Sequence, residues 1–310
     1  MTTFAEHLDH NIIQIDTGYM RPGLAACYLL IDQGRVAIID TGVEHTVSRI
    51  MQVLQDMSLS EENVDYVVPT HVHLDHAGGA GKLMAVCKNA QMVIHPFGSR
   101  HMIDPSKLIA GAQAVYGEQG LRDSVGEIVP VDAQRVIAAE DMYRFTVGSR
   151  ELLIVDTPGH ARHHFCVWDE MSKGFFTGDT FGIAYPELDC GGLSFIFPPS
   201  TPVQFDPPAW HASIDRLMAW HPERMYLTHF GQLDNPVLYV NTLHRMIDNL
   251  TQLAIENDEP DDSLDAVVEQ YIHQQLSAHG CQLEEGRIAE LLDLDLDIIV
   301  QGLKVWIARK

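Results

Sequence analysis

The stretch Thr70-His71-Val72-His73-Leu74-Asp75-His76-Ala77-Gly78-Gly79 decides how the rest of the chain is read. Four metal-ligand side chains fall within six residues, directly after the apolar run Val64-Asp65-Tyr66-Val67-Val68 and ahead of a glycine pair that leads into a helical pattern (Ala80, Lys82, Leu83, Met84). Alternate residues His71 and His73 can project together from an extended segment, whereas Asp75 and His76 sit where the chain turns and can face a second point. One loop of this kind addresses two metal ions a few Å apart, the separation used by two-metal hydrolytic sites.

Outward from this loop, short apolar runs of strand length recur, and several end in the same way. Val36-Ala37-Ile38-Ile39 runs into Asp40-Thr41-Gly42, and Leu152-Leu153-Ile154-Val155 into Asp156-Thr157-Pro158-Gly159-His160. Phe175-Phe176 leads to Thr177-Gly178-Asp179, and Met225-Tyr226-Leu227 to Thr228-His229. Each strand therefore delivers a polar or ligand-type side chain just past its C-terminal end. Sites gather there in layered α/β proteins because the sheet is rigid while its end loops vary. Helical spacing appears between the runs, in Val47, Ile50, Met51 and Leu54, and again in Ile214, Leu217 and Met218 before His221-Pro222. The mixture predicts an α/β sandwich. The glycine-punctuated stretch from Gly98 to Tyr143 reads in two ways. It is either a helical insertion over the site, with Met102, Ile103, Leu108, Ile109, Val115 and Tyr116 as apolar contacts, or a surface connection.

After His229 the pattern becomes helical. Val237 to Leu253 is amphipathic through Leu238, Leu243, Met246, Ile247 and Leu250. The polar run from Asn257 to Ser263 breaks it, with Ser263 placed to cap the next helix, and residues 264–308 continue as two or three helices. The expected organisation is a catalytic domain over residues 1–235 and a C-terminal helical extension over residues 236–310.

Composition excludes several partners. The 310 residues hold 43 Asp and Glu against 20 Lys and Arg, a formal charge of −23. That balance opposes nucleic acid or an anionic membrane as main partner, and the expected partner is a small-molecule substrate. Thirteen acids lie between Glu256 and Asp297 with Arg287 as the sole Lys or Arg, so much of the excess reads as a solvated face of the helical extension. No apolar run reaches the roughly 18–20 residues of a membrane span, and no basic stretch leads into an apolar segment near Met1. A cytoplasmic location is expected. Five scattered cysteines lack any Cys-x-x-Cys pair, so neither a disulfide framework nor a cysteine zinc site is indicated.

With the later motifs added, the chain resembles the metallo-β-lactamase superfamily. Members carry His-x-His-x-Asp-His, a His after Thr-Pro-Gly, an Asp after a strand ending near Thr-Gly, and a last His at another strand end. Here His71, His73, Asp75, His76, His160, Asp179 and His229 stand in that order, with Asp40-Thr41-Gly42 as the turn that members place beneath the metals. The resemblance covers residues 10–235 and implies a four-layer αβ/βα sandwich, to which the helical appendage is added. It implies His71, His73 and His160 on one divalent metal ion, Asp75, His76 and His229 on a second, and Asp179 bridging them. Five imidazoles and two carboxylates suit zinc and also admit iron or manganese.

The implied activity is hydrolysis, with a bridging hydroxide attacking a carbonyl and Asp75 steering its proton. Asp40 either orients the ligands or is a strand-end turn residue. His163 and His164 either hydrogen-bond to the ligand loop or pack. The ligand set resembles the glyoxalase II and lactonase branches, and His73 stands where diiron flavoprotein relatives put Glu. A similar group of archaeal and bacterial metallo-hydrolases shares Ile103-Asp104-Pro105-Ser106-Lys107-Leu108 and Tyr226-Leu227-Thr228-His229-Phe230-Gly231. Some lactonases have Tyr three residues after the bridging Asp. Gly182 occupies that position here, and the nearby Tyr185 becomes the candidate for a substrate hydrogen bond. Phe181, Phe195 and Phe197 form either a pocket wall or core. The expected substrate carries a thioester, lactone or ester. The alternatives are a phosphodiesterase, or a metal-binding scaffold without turnover whose helical appendage makes a homodimer or docks a partner.

Overall fold

The computed structural model describes residues 2–257 and 263–310. The polar break after Asn257 and the capping side chain of Ser263 lie outside what is described, as do the side chains of Val115 and Tyr116. One sheet holds β1 (Ala5–Leu8), β2 (Ile12–Asp16), β3 (Ala26–Asp32), β4 (Arg35–Ile39), β5 (Val64–Val68), β6 (Gln91–Ile94) and β7 (Val136–Ala138), side by side in chain order. The other holds β8 (Arg144–Val147), β9 (Arg150–Asp156), β10 (Phe165–Asp169), β11 (Gly174–Gly178), β12 (Arg224–Leu227) and β13 (Gly231–Asp234). β4 through β7 pair in parallel, as do β11 and β12; the remaining neighbours are antiparallel.

The helices are α1 (Thr46–Asp56), α2 (Leu74–Ala77), α3 (Ala80–Val86), α4 (Pro96–Ile103), α5 (Ser106–Ser124), α6 (Pro207–Met218), α7 (Val240–Glu256), α8 (Ser263–His279) and α9 (Glu285–Ile307). Strand pleating sorts the apolar residues into layers. Ile12, Tyr28, Leu30, Ile39 and Val68 face Phe145, Ile154, Phe165, Val167 and Phe176 of the opposite sheet. Their sequence neighbours Ile13, Leu29, Ile38 and Val67 pack instead on Val47, Ile50, Leu54 and Leu83 of the flanking helices. Both faces of each sheet are covered, which is why these strands read as continuous apolar runs rather than alternating ones. The result is the α/β sandwich with helices outside and two sheets within.

The glycine-rich stretch is helical, in α4 and α5. Met102 joins the core beneath the first sheet, and Leu121 and Ile109 pack with Leu24, Val43 and Leu74, beside the loop that carries Asp75. Ile103 is exposed. Among the described residues, no helix is long and apolar enough to cross a membrane.

α7, α8 and α9 do not stand apart from the second sheet. Leu243, Met246, Ile272, Leu291 and Leu303 share one apolar cluster with Phe197, Trp210 and Met225. α9 comes closest at Gly302, where a Cβ would lie 2.4 Å from the carbonyl oxygen of Ser200, and the Ser200 hydroxyl donates to the Ile299 carbonyl (3.1 Å). Gly302→Ala should therefore cost about 1–3 kcal/mol through overpacking. Gly286→Ala on the same helix, where a Cβ meets nothing within 4 Å, should not lower stability. Thermal unfolding of the two variants checks this, and an equal melting temperature for both would contradict it.

Candidate metal centre

Asp40 is the residue from which the site is built. It follows β4 in a left-handed backbone conformation (φ 53°) and is buried. One carboxylate oxygen accepts from the Thr70 backbone N–H (2.7 Å) and hydroxyl (3.0 Å); the other accepts from the Thr228 hydroxyl (2.6 Å) and His76 Nδ1 (2.8 Å). A buried carboxylate is tolerated when its lone pairs are filled in this way. The ends of β4, β5 and β12 are thereby fastened to one group. Thr41 adds two bonds, from its N–H (2.7 Å) and hydroxyl (2.8 Å) to the His76 carbonyl. The glycine pair lets the ligand loop fold back onto this turn: Gly79 N–H donates to the Gly42 carbonyl (2.9 Å), and a Cβ on Gly79 would lie 2.7 Å from the Val43 carbonyl oxygen.

The seven ligand-type residues converge in two groups, His71, His73, His160 and Asp179 in one and Asp75, His76 and His229 in the other. Within each group the candidate ligand atoms lie within 4.8 Å of one another. Asp179 joins the two. Its Oδ2 lies 3.1 Å from His160 Nε2, and its Oδ1 lies 3.1 Å from His76 Nε2 and 3.6 Å from His229 Nε2. Asp75 Oδ2 is 3.2 Å from His229 Nε2. This grouping is the one the resemblance implies.

Three of the imidazoles are held in one tautomer by their outer nitrogen. His160 Nδ1 donates to the Pro199 carbonyl (2.9 Å), His229 Nδ1 to the Leu24 carbonyl (2.8 Å), and His76 Nδ1 to Asp40. When neutral, each ring so held turns a bare Nε2 lone pair inward, the arrangement that prepares histidine for a metal. Asp179 is set from behind, its N–H donating to His164 Nε2 (3.2 Å), whose Nδ1 contacts the hydroxyls of Thr157 (2.9 Å) and Thr180 (3.1 Å). His164 therefore fixes the backbone from which Asp179 reaches the two groups. His163 stacks against His71, with ring centroids 6.1 Å apart.

Electrostatics separate the two groups. Burial, followed by the crowding of neighbouring imidazoles, holds His71 well below the usual histidine range, and burial with His160 alongside pulls His73 down to about 3. Burial also lowers His160. At the second group burial opposes protonation, yet Asp179, Asp75 and Asp40 raise His76, and Asp179 and Asp75 raise His229 to about 9. That end calls for positive charge. His76 Nε2 and Asp179 Oδ1 are moreover buried without a hydrogen-bond partner among the described residues. Inward lone pairs, unpartnered buried donor atoms and a nitrogen–oxygen ligand set all fit two divalent cations, held by His71, His73 and His160 on one side and Asp75, His76 and His229 on the other, with Asp179 between.

Tyr185 is fully buried, and its hydroxyl donates to Asp295 of α9, with oxygens at 3.0 and 3.2 Å. The Arg21 guanidinium lies 4.4 Å above the Tyr185 ring. Phe181, Phe195 and Phe197 belong to the core beneath the second sheet, and Phe195 also lines a surface pocket with Tyr239, Met246 and His279. Sequence reading passed over Asp295 and Arg21, and nothing in the acid run Asp293-Leu294-Asp295-Leu296-Asp297 marks the middle residue. Thr70 and Thr228 do carry a signal, since each stands just before a ligand histidine at a strand end.

The sequence profile of the metallo-β-lactamase superfamily matches residues 20–229, and the chain belongs to this superfamily, whose members are in general metal-dependent hydrolases. It is 28% identical over 235 residues to the metallo-β-lactamase fold-containing protein ST1585 of Sulfurisphaera tokodaii, a match spanning 73% of this chain and 80% of that protein. The solved structure of ST1585, described as an archaeal metallo-β-lactamase superfamily protein, superposes with a TM-score of 0.64 at 21% identity, covering 96% of this chain and 99% of that one. The metallo-β-lactamase family protein TTHA1429 of Thermus thermophilus gives a TM-score of 0.66 at 18% identity, over 96% and 93% of the two chains. These superpositions take in the C-terminal helices as part of the shared fold.

Two outcomes follow. Asp40→Asn replaces an acceptor oxygen by a donor facing donors, and should weaken metal binding about 10–100-fold in chelator competition; unchanged affinity would mean that Asp40 does not position the ligands. Burial pushes the Asp295 carboxyl up to about 6, against the pull of His229, Tyr185 and Arg21. Because the folded value exceeds the unfolded one of about 3.9, Asp295 costs stability as pH rises through that window. Asp295→Asn should gain melting temperature over the parent from pH 4 to pH 7, and a pH-independent difference would contradict this.

Proposed function

We propose that the chain is a binuclear metallo-hydrolase, with zinc as resident metal, that cleaves the ester-type bond of a small molecule: a thioester, lactone or ester. The observation that carries this reading is Asp179, whose two oxygens are shared between adjacent nitrogen-rich groups. When bound, a pair of divalent ions supplies Lewis acidity toward a carbonyl and lowers the pKa of the water that becomes the nucleophile.

The chain's own residues do the rest. His160, His76 and His229 keep their Nε2 atoms aimed through the bonds behind them, so little reorganisation remains when substrate arrives. Asp75, from α2, keeps 24% of its side chain exposed, so water can reach its carboxylate. Its carboxylate is the proposed acceptor of the attacking water's proton. Tyr185, expected to hydrogen-bond the substrate, is instead fully buried, so the proposed polar contact is the partly exposed Asp295, whose carboxylate Tyr185 holds from behind. The net charge of −23 speaks against a nucleic-acid substrate. The proposed location is the cytoplasm, and five free cysteines support it.

The test is a panel of thioesters, lactones, esters and phosphodiesters, assayed after reconstitution with zinc, iron or manganese. Turnover of a carboxylic ester-type substrate with two metals per chain is expected. Asp75→Ala should lower kcat by about 100-fold or more with the fold retained by circular dichroism. Tyr185→Phe should lower turnover at unchanged metal content. Fewer than one metal per chain and no turnover with any metal would overturn the reading, and turnover of phosphodiesters alone would overturn its substrate class.

A further inference from the structure

Four titratable side chains outside the metal centre meet across α6 and α7. His211 and Asp215 stand four residues apart on α6, and His244 and Asp248 stand four apart on α7, so each helix offers a His-x-x-x-Asp pair on one face. The pairs lock reciprocally. His211 Nε2 lies 2.9 Å from Asp248 Oδ1, and His244 Nε2 lies 3.1 Å from Asp215 Oδ1. A carboxylate accepts hydrogen bonds, so both Nε2 atoms carry the hydrogen. In a neutral ring the lone pair is then on Nδ1, and the two Nδ1 atoms face each other at 2.5 Å with the rings within 20° of parallel.

Two lone pairs at that distance repel unless a positive charge lies between them. The candidates are a shared proton and a metal ion. Two neutral imidazoles with two carboxylates carry a charge of −2, which a dication cancels and a proton only halves. Each ring is also backed by a carboxylate on its outer nitrogen, the device that fixes the tautomer and raises the basicity of a metal-binding histidine. The nearest arginine on α6 does not supply the charge, because Arg216 donates to the Asp156 carbonyl (3.1 Å) and to Asp141 (2.8 Å). Solvent reaches the site: the imidazoles are 25% and 22% exposed and the carboxylates above 70%, so an ion can enter and waters can complete its shell. Bonds of about 2.0–2.1 Å to zinc need the two nitrogens about 3 Å apart or slightly more, a small opening for partly exposed rings.

We propose that His211 and His244 form a second, interhelical site for one divalent cation of the zinc, copper and nickel class, which fastens α7 to α6. Imidazole suits these ions, and the absence of thiolate or a full carboxylate shell disfavours copper(I) and calcium. The site would stiffen a functional part of the molecule. His211 follows Trp210, whose indole N–H donates to the Thr180 carbonyl (2.7 Å) and whose ring packs against His160. The proposal does not depend on the hydrolase reading.

The test is equilibrium dialysis of the full chain, carrying its active-site metals, against zinc at neutral pH. Wild type should bind one more zinc per chain than His211→Gln or His244→Gln, and zinc should raise its melting temperature in a way both variants lose. The double variant Asp215→Asn with Asp248→Asn keeps both rings and should bind the extra zinc at least tenfold more weakly. It reads out the site even if a histidine variant folds poorly. Equal zinc in wild type and the histidine variants would overturn the proposal. A wild-type melting temperature that follows pH but ignores zinc would also overturn it, assigning the pair to a shared proton.

Discussion

The carboxylate of Asp40 is the constraint on which the site depends. A buried charge is costly unless every lone pair is used, and here four donors from two strand ends and the short helix α2 use them. The fold needs those donors in place to tolerate Asp40. The ligand-type side chains need Asp40 because it fixes the tautomer of His76 and the positions of the residues just before His71 and His229. Asp40 thus connects fold stability to ligand geometry in one group. The left-handed backbone at Asp40 belongs to the same arrangement, since strand β4 must end there for the carboxylate to meet Thr70 and Thr228.

A second line of support comes from the far end of the chain. α9 lies against Ser200 so closely that only glycine fits at 302, and the residue before Ser200 provides the carbonyl that holds His160. The same helix sends Asp295 to Tyr185, beneath the Arg21 guanidinium. The C-terminal helices therefore reach residues next to the candidate metal centre through backbone and polar contacts, besides closing the apolar layer over the second sheet. They also bring α7 against α6, where four side chains separated by up to 37 residues form a reciprocal pair.

Much of this was legible before the fold was known. The spacing His71, His73, Asp75, His76 marks a loop with two faces, and the polar residues at strand ends mark where the sheet delivers them. Both signals survive in sequence because they are local: a strand runs out, and the next side chain is the functional one. Where two readings stood, long-range partners decided. Asp40 as a bare turn residue gives way to Asp40 as an anchor, because Thr228 reaches it from 188 positions away. His164 is distinguished from its neighbour His163 by the Asp179 backbone N–H, and Phe181, Phe195 and Phe197 are core because α7 to α9 cover them.

By itself the sequence determined the α/β layering, the identity of the seven ligand-type residues and their order, because hydrophobic period and motif spacing are properties of short segments. Only the tertiary structure decided which outer partners aim the ligand-type rings, that Asp40 ties Thr70, His76 and Thr228 together, and that Asp295, Arg21 and the His211–His244 pair matter at all. Those facts rest on distances between strand ends and helix faces far apart in the chain. Such distances are set by packing across both sheets, and no local pattern encodes them.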